Sequence, residues 1–270
     1  MEKEILELLG KSFDRIPELS AHTIDNFDIN QLSGYTNLNF QLINAQYDWV
    51  LRIPKEKTNG HINRIQEAYN AKIAFDLGLA PKCHWRDNSG YSLSDTIKQS
   101  RSLAVNDFNN PERLKQVVTA LKKLHQSGQV FQGMVDLTEL LSRYYELMPK
   151  YKQHLFVDTY YDATKKVKIV LKQSQKNVPS HNDLVLENIL LDNHSYLTRI
   201  WIIDWEYATM ASPYWDLATL CNEGKLTEVQ AEKLLSLYQN KGQSLNLNIL
   251  NDYRDILKAL SIFWLAAFAD

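Results

Sequence analysis

The sequence predicts an α+β fold in two lobes, a strand-rich N-terminal lobe over residues 1–95 and a mainly helical C-terminal lobe over 96–270. Two observations lead to it. Short runs of period-two alternation crowd the first part of the chain, and beyond residue 95 long stretches keep a helical spacing instead. The length, 270 residues, also suits two lobes, since one domain takes roughly 100–200 residues.

The elements follow in order. Ile5, Leu8, Leu9, Phe13 and Ile16 recur at helical spacing and predict a first helix. Three strand-like runs follow at 27–33, 38–44 and 47–54. Ile62, Ile65, Tyr69, Ile73 and Phe75 to Leu77 predict a helix stopped by Gly78, with Glu67 off the apolar stripe. Strands at 82–86 and 91–94 complete the lobe. From Pro111, Leu114, Val117, Val118, Leu121 and Leu124 keep the i, i+3, i+4, i+7 rhythm. Further helices are expected at 137–149, 158–174, 213–239 with a break near Gly224, and 248–269. Residues 178–204 interrupt them with a loop, strand, turn and strand, in which Ile189-Leu190-Leu191 and Ile200-Trp201-Ile202-Ile203 flank Asp192-Asn193-His194-Ser195.

Composition narrows the function classes. Hydrophobic residues at 44% and charged residues at 23% are ordinary for a chain that buries a core. A formal charge of -2, from 30 basic and 32 acidic side chains, supplies no global field for nucleic acid or an anionic membrane. Small-molecule partners are expected. Cys83 and Cys221, too far apart for a disulfide framework or a zinc spacing, are expected in the core of a protein in a reducing compartment. The start, Met1-Glu2-Lys3-Glu4-Ile5-Leu6, lacks a signal-peptide pattern, and the apolar stretch from Ala259 to Ala269 is short of the about 20 residues that cross a bilayer. Both point to a cytoplasmic protein and a buried last helix.

The chemistry sits around the interrupting hairpin. Before it stands His181-Asn182-Asp183-Leu184-Val185-Leu186-Glu187-Asn188, and after it Ile203-Asp204-Trp205-Glu206. Phosphoryl transfer needs a carboxylate beside the attacking hydroxyl, together with an amide oxygen and a second carboxylate that hold magnesium on the phosphates. Asp183, Asn188 and Asp204 supply that set, in the order and offset of a kinase catalytic loop. Each alone reads as a turn or cap residue. The joint spacing does not.

On these segments the chain resembles the choline kinase, thiamine kinase and aminoglycoside phosphotransferase family, and most closely the bacterial choline kinases. The resemblance implies a eukaryotic-protein-kinase-like fold, ATP and Mg2+ as cofactors, and transfer of the γ-phosphate to the hydroxyl of a cationic alcohol. It assigns catalysis to Asp183, Asn188 and Asp204, with Asn188 and Asp204 on the metal. Choline is the first expectation and thiamine the main alternative. An aminoglycoside acceptor, or an inactive nucleotide-binding module, stands further off. Only residues 205–215 separate Asp204 from Asp216, which leaves no room for a long activation loop and argues against a protein substrate.

In Trp49-Val50-Leu51-Arg52-Ile53-Pro54, alternation puts Val50 and Arg52 on one face, Val50 toward adenine and Arg52 toward phosphates, unless Arg52 is an exposed strand residue. The resemblance makes Glu67 the helix partner of Arg52. The rival is a surface pair with Arg64 three residues earlier. The phosphate-covering loop is expected within 32–40, where Ser33, Thr36 and Asn37 offer hydrogen-bond donors beside a single Gly34, with Tyr35 where relatives often carry a second glycine.

Asp216, behind Ser212 as N-cap and Pro213 in the first turn, suits a helix dipole, and by resemblance braces the catalytic loop. A quaternary ammonium is held by aromatic faces and nearby carboxylates. The resemblance puts Tyr207, Glu223 and Trp264 in that role, with Glu206 and Asp183 also toward the acceptor. Trp264 is alternatively core of the last helix.

Overall fold

The structure is a computed structural model that describes residues 3–34, 36–55, 62–173, 176–192, 199–239 and 245–268. Met1, Glu2, Tyr35, Asn193, His194, Ser195 and Ala269, named above, lie outside the described residues. The chain divides into two compact units, Met1–Ser100 with Asp192–Glu206, and Arg101–Leu191 with Tyr207–Asp270. The end of the interrupting hairpin therefore groups with the N-terminal strands.

In the first unit, helix α1 (Lys3–Arg15) precedes strands β1 (Asp28–Leu32), β2 (Asn37–Ile43) and β3 (Asp48–Pro54), then helix α2 (Arg64–Asp76) and strands β4 (Cys83–Arg86) and β5 (Ser92–Asp95). The strands form one antiparallel sheet in the order β1-β2-β3-β5-β4, with Phe40 opposite Leu51 and Asn39 opposite Arg52. Period two decides its faces. Trp49, Leu51 and Ile53 point into a core with Phe40, Leu42 and Leu93, which the apolar side of α1 covers through Leu9 and Phe13, joined by Ile16 just after the helix. Each such side chain contributes roughly 1.5–3 kcal/mol relative to exposure. Arg52, on the opposite face, is held beneath α2.

Helix α2 reverses the expectation drawn from its apolar stripe. Ile65, Tyr69 and Phe75 are 62%, 47% and 39% exposed, whereas Arg64, Glu67 and Asn70 are buried. Hydropathy spacing assumes that the apolar side faces inward. Here the inward side meets arginines from the sheet, and complementary charge selects the polar face. The N-cap is ordinary, with Asn63 accepting from the amide of Gln66.

Short strands β6 (Ser100–Ser102), β7 (Val178–Ser180), β8 (Ile189–Asp192), β9 (Arg199–Ile202) and β10 (Thr209–Ala211) follow along the chain. The pairing of β7 with β10, Ser180 opposite Thr209, was not expected from the sequence, because three-residue strands carry too little pattern. The second unit holds helices α3 (Pro111–His125), α4 (Leu137–Leu147), α5 (Lys150–Gln153), α6 (Val157–Val170), α7 (Tyr214–Glu223), α8 (Glu228–Tyr238) and α9 (Leu247–Phe268). Asn110 caps α3 and Pro111 opens it, so Leu114, Val117, Val118, Leu121 and Leu124 are buried as their spacing predicts. Helix α9 packs against α7, α6 and α4 through Ile249, Leu250, Ile256 and Phe263.

Two smaller expectations are corrected. Cys83 is exposed on the edge strand β4, and only Cys221 is buried, where desolvation pushes its thiol up to about 12. Pro213 occupies the cap position of α7 and not its first turn. Among the described residues, no helix is long and apolar enough to cross a membrane.

Candidate functional site

The residues singled out from the sequence fall on both units. In the first unit they converge on Glu67. One carboxylate oxygen, Oε1, meets Nη1 of Arg52 at 2.6 Å and Nη1 of Arg86 at 2.7 Å, and Oε2 accepts from Nη1 of Arg64 at 2.8 Å. Both partners considered for Glu67 are therefore real, and neither lies at the surface. Burial opposes ionisation of Glu67, but Arg52 and Arg86 outweigh it and bring the carboxyl from 4.5 down to about 2. The stability from this pairing is complete above the ordinary glutamate range and is lost as pH falls toward 2.

Arg52 itself is buried, which removes the exposed-strand alternative. Desolvation works against its charge, yet Glu67 and then Asp204 raise its pKa. Its Nε donates to the carbonyl of Gly90 at 3.1 Å, and Nη1 stands 3.7 Å from Oδ1 of Asp204. Nη2 is buried and has no hydrogen-bond partner among the described residues. A buried guanidinium nitrogen in that state suits an anionic ligand. Val50 is half-buried on the same sheet face.

Asp204 adopts φ 64, the left-handed region that an aspartate occupies at a cost of about 1–3 kcal/mol when its surroundings enforce it. Trp205, buried, donates Nε1–H to the carbonyl of Ile202 and closes the turn at 3.0 Å. Glu206, expected toward an acceptor, has a side chain that is 1% exposed, and its Oε2 accepts from Arg64 at 3.2 Å and from Asn37 at 3.1 Å. Asn37 also donates to Thr36 Oγ1 at 2.9 Å, so its amide hydrogens are spent on the protein and not left for phosphates. Thr36 is buried and Ser33 exposed. Gly34 is required by close approach, because a Cβ there would lie 2.5 Å from the carbonyl oxygen of Asn37, and Lys55 holds the Gly34 carbonyl at 3.1 Å.

In the second unit, Asn188 Nδ2 donates to the Asp183 carbonyl at 2.9 Å and to its carboxylate at 3.2 Å. With the donor side of that amide committed, its oxygen is what Asn188 offers a cation. An amide oxygen is a hard ligand of the kind magnesium takes. The described residues hold no cluster of three or more acidic, His or Cys ligands.

Asp216, wholly buried in α7, accepts from the amides of His181 and Asn182, each at 2.8 Å, and from Nε2 of His125 at 2.9 Å. Burial resists its charge, but His125 and the His181 amide hold the carboxyl below its usual range. Asn182 sits at φ 64, and its carbonyl accepts from Trp215 Nε1 at 2.9 Å. Tyr207 is half-buried, with its carbonyl bonded by Asn182 Nδ2 at 3.1 Å. Glu223 is exposed at the end of α7, and partial desolvation, then the Glu187 carboxylate, raises its pKa. Trp264 is half-buried with its ring 5.6 Å from Phe268, so it is not simply core.

Sequence reasoning missed Arg86 as a partner of Glu67, Arg64 as a partner of Glu206, and His125 with Tyr238, whose hydroxyl meets His125 Nδ1 at 2.8 Å. A signal for His125 existed. It stands seven residues after Val118 and four after Leu121, on the apolar stripe of α3, where a histidine needs buried partners. Arg86 gave none.

The profile of the choline/ethanolamine kinase family matches residues 29–243. The chain belongs to this family. Among curated members, Protein LicA of Haemophilus influenzae is 32% identical over 231 residues, 83% of this chain and 67% of the relative. The choline kinase LicA of Streptococcus pneumoniae superposes with a TM-score of 0.85 at 22% identity, covering 97% of this chain and 90% of that one. A structure of LicA in complex with AMP gives 0.81 at 21%, covering 98% and 91%. The fold is thus the α+β, protein-kinase-like fold of the choline kinases, and family membership makes the chain a phosphotransferase with an alcohol acceptor.

Proposed function

We propose that the protein transfers the γ-phosphate of ATP to the hydroxyl of choline. The observation that carries this reading is the lock between Asn188 and Asp183, which orients a carboxylate and an amide oxygen on one loop of a chain in the choline/ethanolamine kinase family. Asp183 accepts the hydroxyl proton as the new O–P bond forms and the bond from the γ-phosphorus to the β–γ bridging oxygen breaks, which releases ADP. Arg52, aimed by Glu67, meets the phosphates with its Nη2. Bound magnesium would supply positive charge against the negative charge that builds on the phosphates. Asp204 and Asn188 are the residues that would hold it. The unit with the sheet serves the nucleotide, and the helical unit the acceptor. A relative that binds AMP supports the nucleotide assignment.

Tyr207 and Trp264 offer aromatic faces to the ammonium, and Glu223 balances its charge. Glu223→Gln is expected to raise the Michaelis constant for choline at least tenfold, about 1.4 kcal/mol, with little change for ATP. Because the Glu223 pKa is raised, choline affinity should weaken at a higher pH than an ordinary glutamate would dictate. Initial rates against choline from pH 5 upward measure both.

Arg52→Ala and Glu67→Ala are expected to be non-additive in ATP affinity, with a coupling of about 0.5–3 kcal/mol. Additive losses in the double-mutant cycle would separate Glu67 from the nucleotide.

The reaction is tested by ADP release against choline, ethanolamine, thiamine, homoserine, methylthioribose and kanamycin. Choline should be turned over with the highest kcat/KM. A preference for thiamine or a neutral alcohol would overturn the acceptor, and no ADP release with any of them would overturn the reaction.

A further inference from the structure

We infer that Arg64 and Glu206 are positioning residues, a buried ion pair that fixes the Asp204 turn against helix α2 and thereby acts on the nucleotide and not on the acceptor. This rests on the reading that the chain binds ATP with magnesium.

The pair is not a surface bridge. Side-chain exposure is 4% for Arg64 and 1% for Glu206. Charges that deep are retained only where geometry and further hydrogen bonds compensate their desolvation. Nη1 of Arg64 lies between two carboxylates, Glu67 at 2.8 Å and Glu206 at 3.2 Å, and Asn37 adds a second donor to the same Glu206 oxygen at 3.1 Å. Arg64 is also the first residue of α2, where the helix dipole disfavours a cation. The two carboxylates reverse that preference.

The surroundings are shaped to admit Arg64. Gly90 has φ +99, and a Cβ there would fall 2.5 Å from Arg64 Nε and 2.8 Å from Cζ. The carbonyl of the same glycine takes the Arg52 Nε–H. One turn thus seats both arginines, and one carboxylate, Glu67, binds both. Glu206 stands two residues after Asp204 in the same turn, so a shift of Arg64 moves Asp204 through Glu206 and Arg52 through Glu67.

The test compares Arg64→Met, Arg64→Lys and Glu206→Gln in the full chain. Calorimetry measures ADP binding with and without Mg2+, initial rates give the Michaelis constants for ATP and choline and the Mg2+ dependence, and thermal unfolding reports folding. Arg64→Met should weaken Mg2+-dependent ADP binding at least tenfold and raise the Mg2+ needed for half-maximal rate, while the choline constant stays within threefold. Arg64→Lys should recover part of that loss. Glu206→Gln, which keeps the shape and still accepts from Arg64 and Asn37, should show the same pattern more weakly and stands as the readout if Arg64→Met does not fold. Unchanged Mg2+-dependent binding in folded variants would overturn the inference alone. So would a tenfold rise in the choline constant for Glu206→Gln with nucleotide binding intact, which would return Glu206 to the acceptor. An unsubstituted chain that binds no ADP with Mg2+ would overturn the functional reading, and this inference with it.

Discussion

Asp183→Asn is expected to lower the rate of ADP release with choline by about 10²–10⁴-fold while leaving ATP affinity within threefold. The size follows from the role proposed for the carboxylate, since an amide of the same shape cannot take the hydroxyl proton. Selectivity follows from the loop. Asn188 holds the Asp183 backbone carbonyl as well as the carboxylate, so the backbone anchor survives the substitution. The amides of His181 and Asn182 remain on Asp216. Rates from coupled ADP release and binding by calorimetry separate the two quantities. Turnover within threefold of the unsubstituted chain would remove Asp183 from the chemistry.

Asp204→Ala is expected to abolish the Mg2+-dependent part of nucleotide binding. The carboxylate is proposed to carry magnesium, whereas Arg52 is held chiefly by Glu67 at 2.6 Å and only secondarily by Asp204 at 3.7 Å. Affinity for ADP without magnesium should therefore persist, and its enhancement on adding magnesium should vanish. Glu206, in the same turn, remains tied to Arg64 and Asn37, which limits structural damage. Equal magnesium enhancement in the variant would make Asp204 a turn residue only.

Much of the fold was legible because burial and period agree in most of it. Strand β3 alternates as its sequence does, and α3 buries the stripe that its spacing marks. The contact of Arg52 with Glu67, expected from the resemblance, is present. Helix α2 shows where that reading fails. Ile65, Tyr69 and Phe75 face outward because the inward position is fixed by Arg52 and Arg86, residues of strands outside the window in which hydropathy is counted. The ion pair of Glu206 was illegible for a related reason. A carboxylate two residues from Asp204 reads as part of the same chemistry, and its partner, Arg64, lies 142 residues away in the chain. Asp216, His125 and Tyr238 belong together only through tertiary packing, although the histidine on an apolar stripe hinted at it.

The two amides that shape the loop before Asp183 find their acceptor 34 and 35 residues later, on α7. The loop therefore has no local code for its working form, and its order is borrowed from the docking of a helix. In hydrogen-exchange terms, the amides of His181 and Asn182 and the first turns of α7 belong to one cooperative opening unit. Loosening α7 is therefore expected to expose both amides to exchange together.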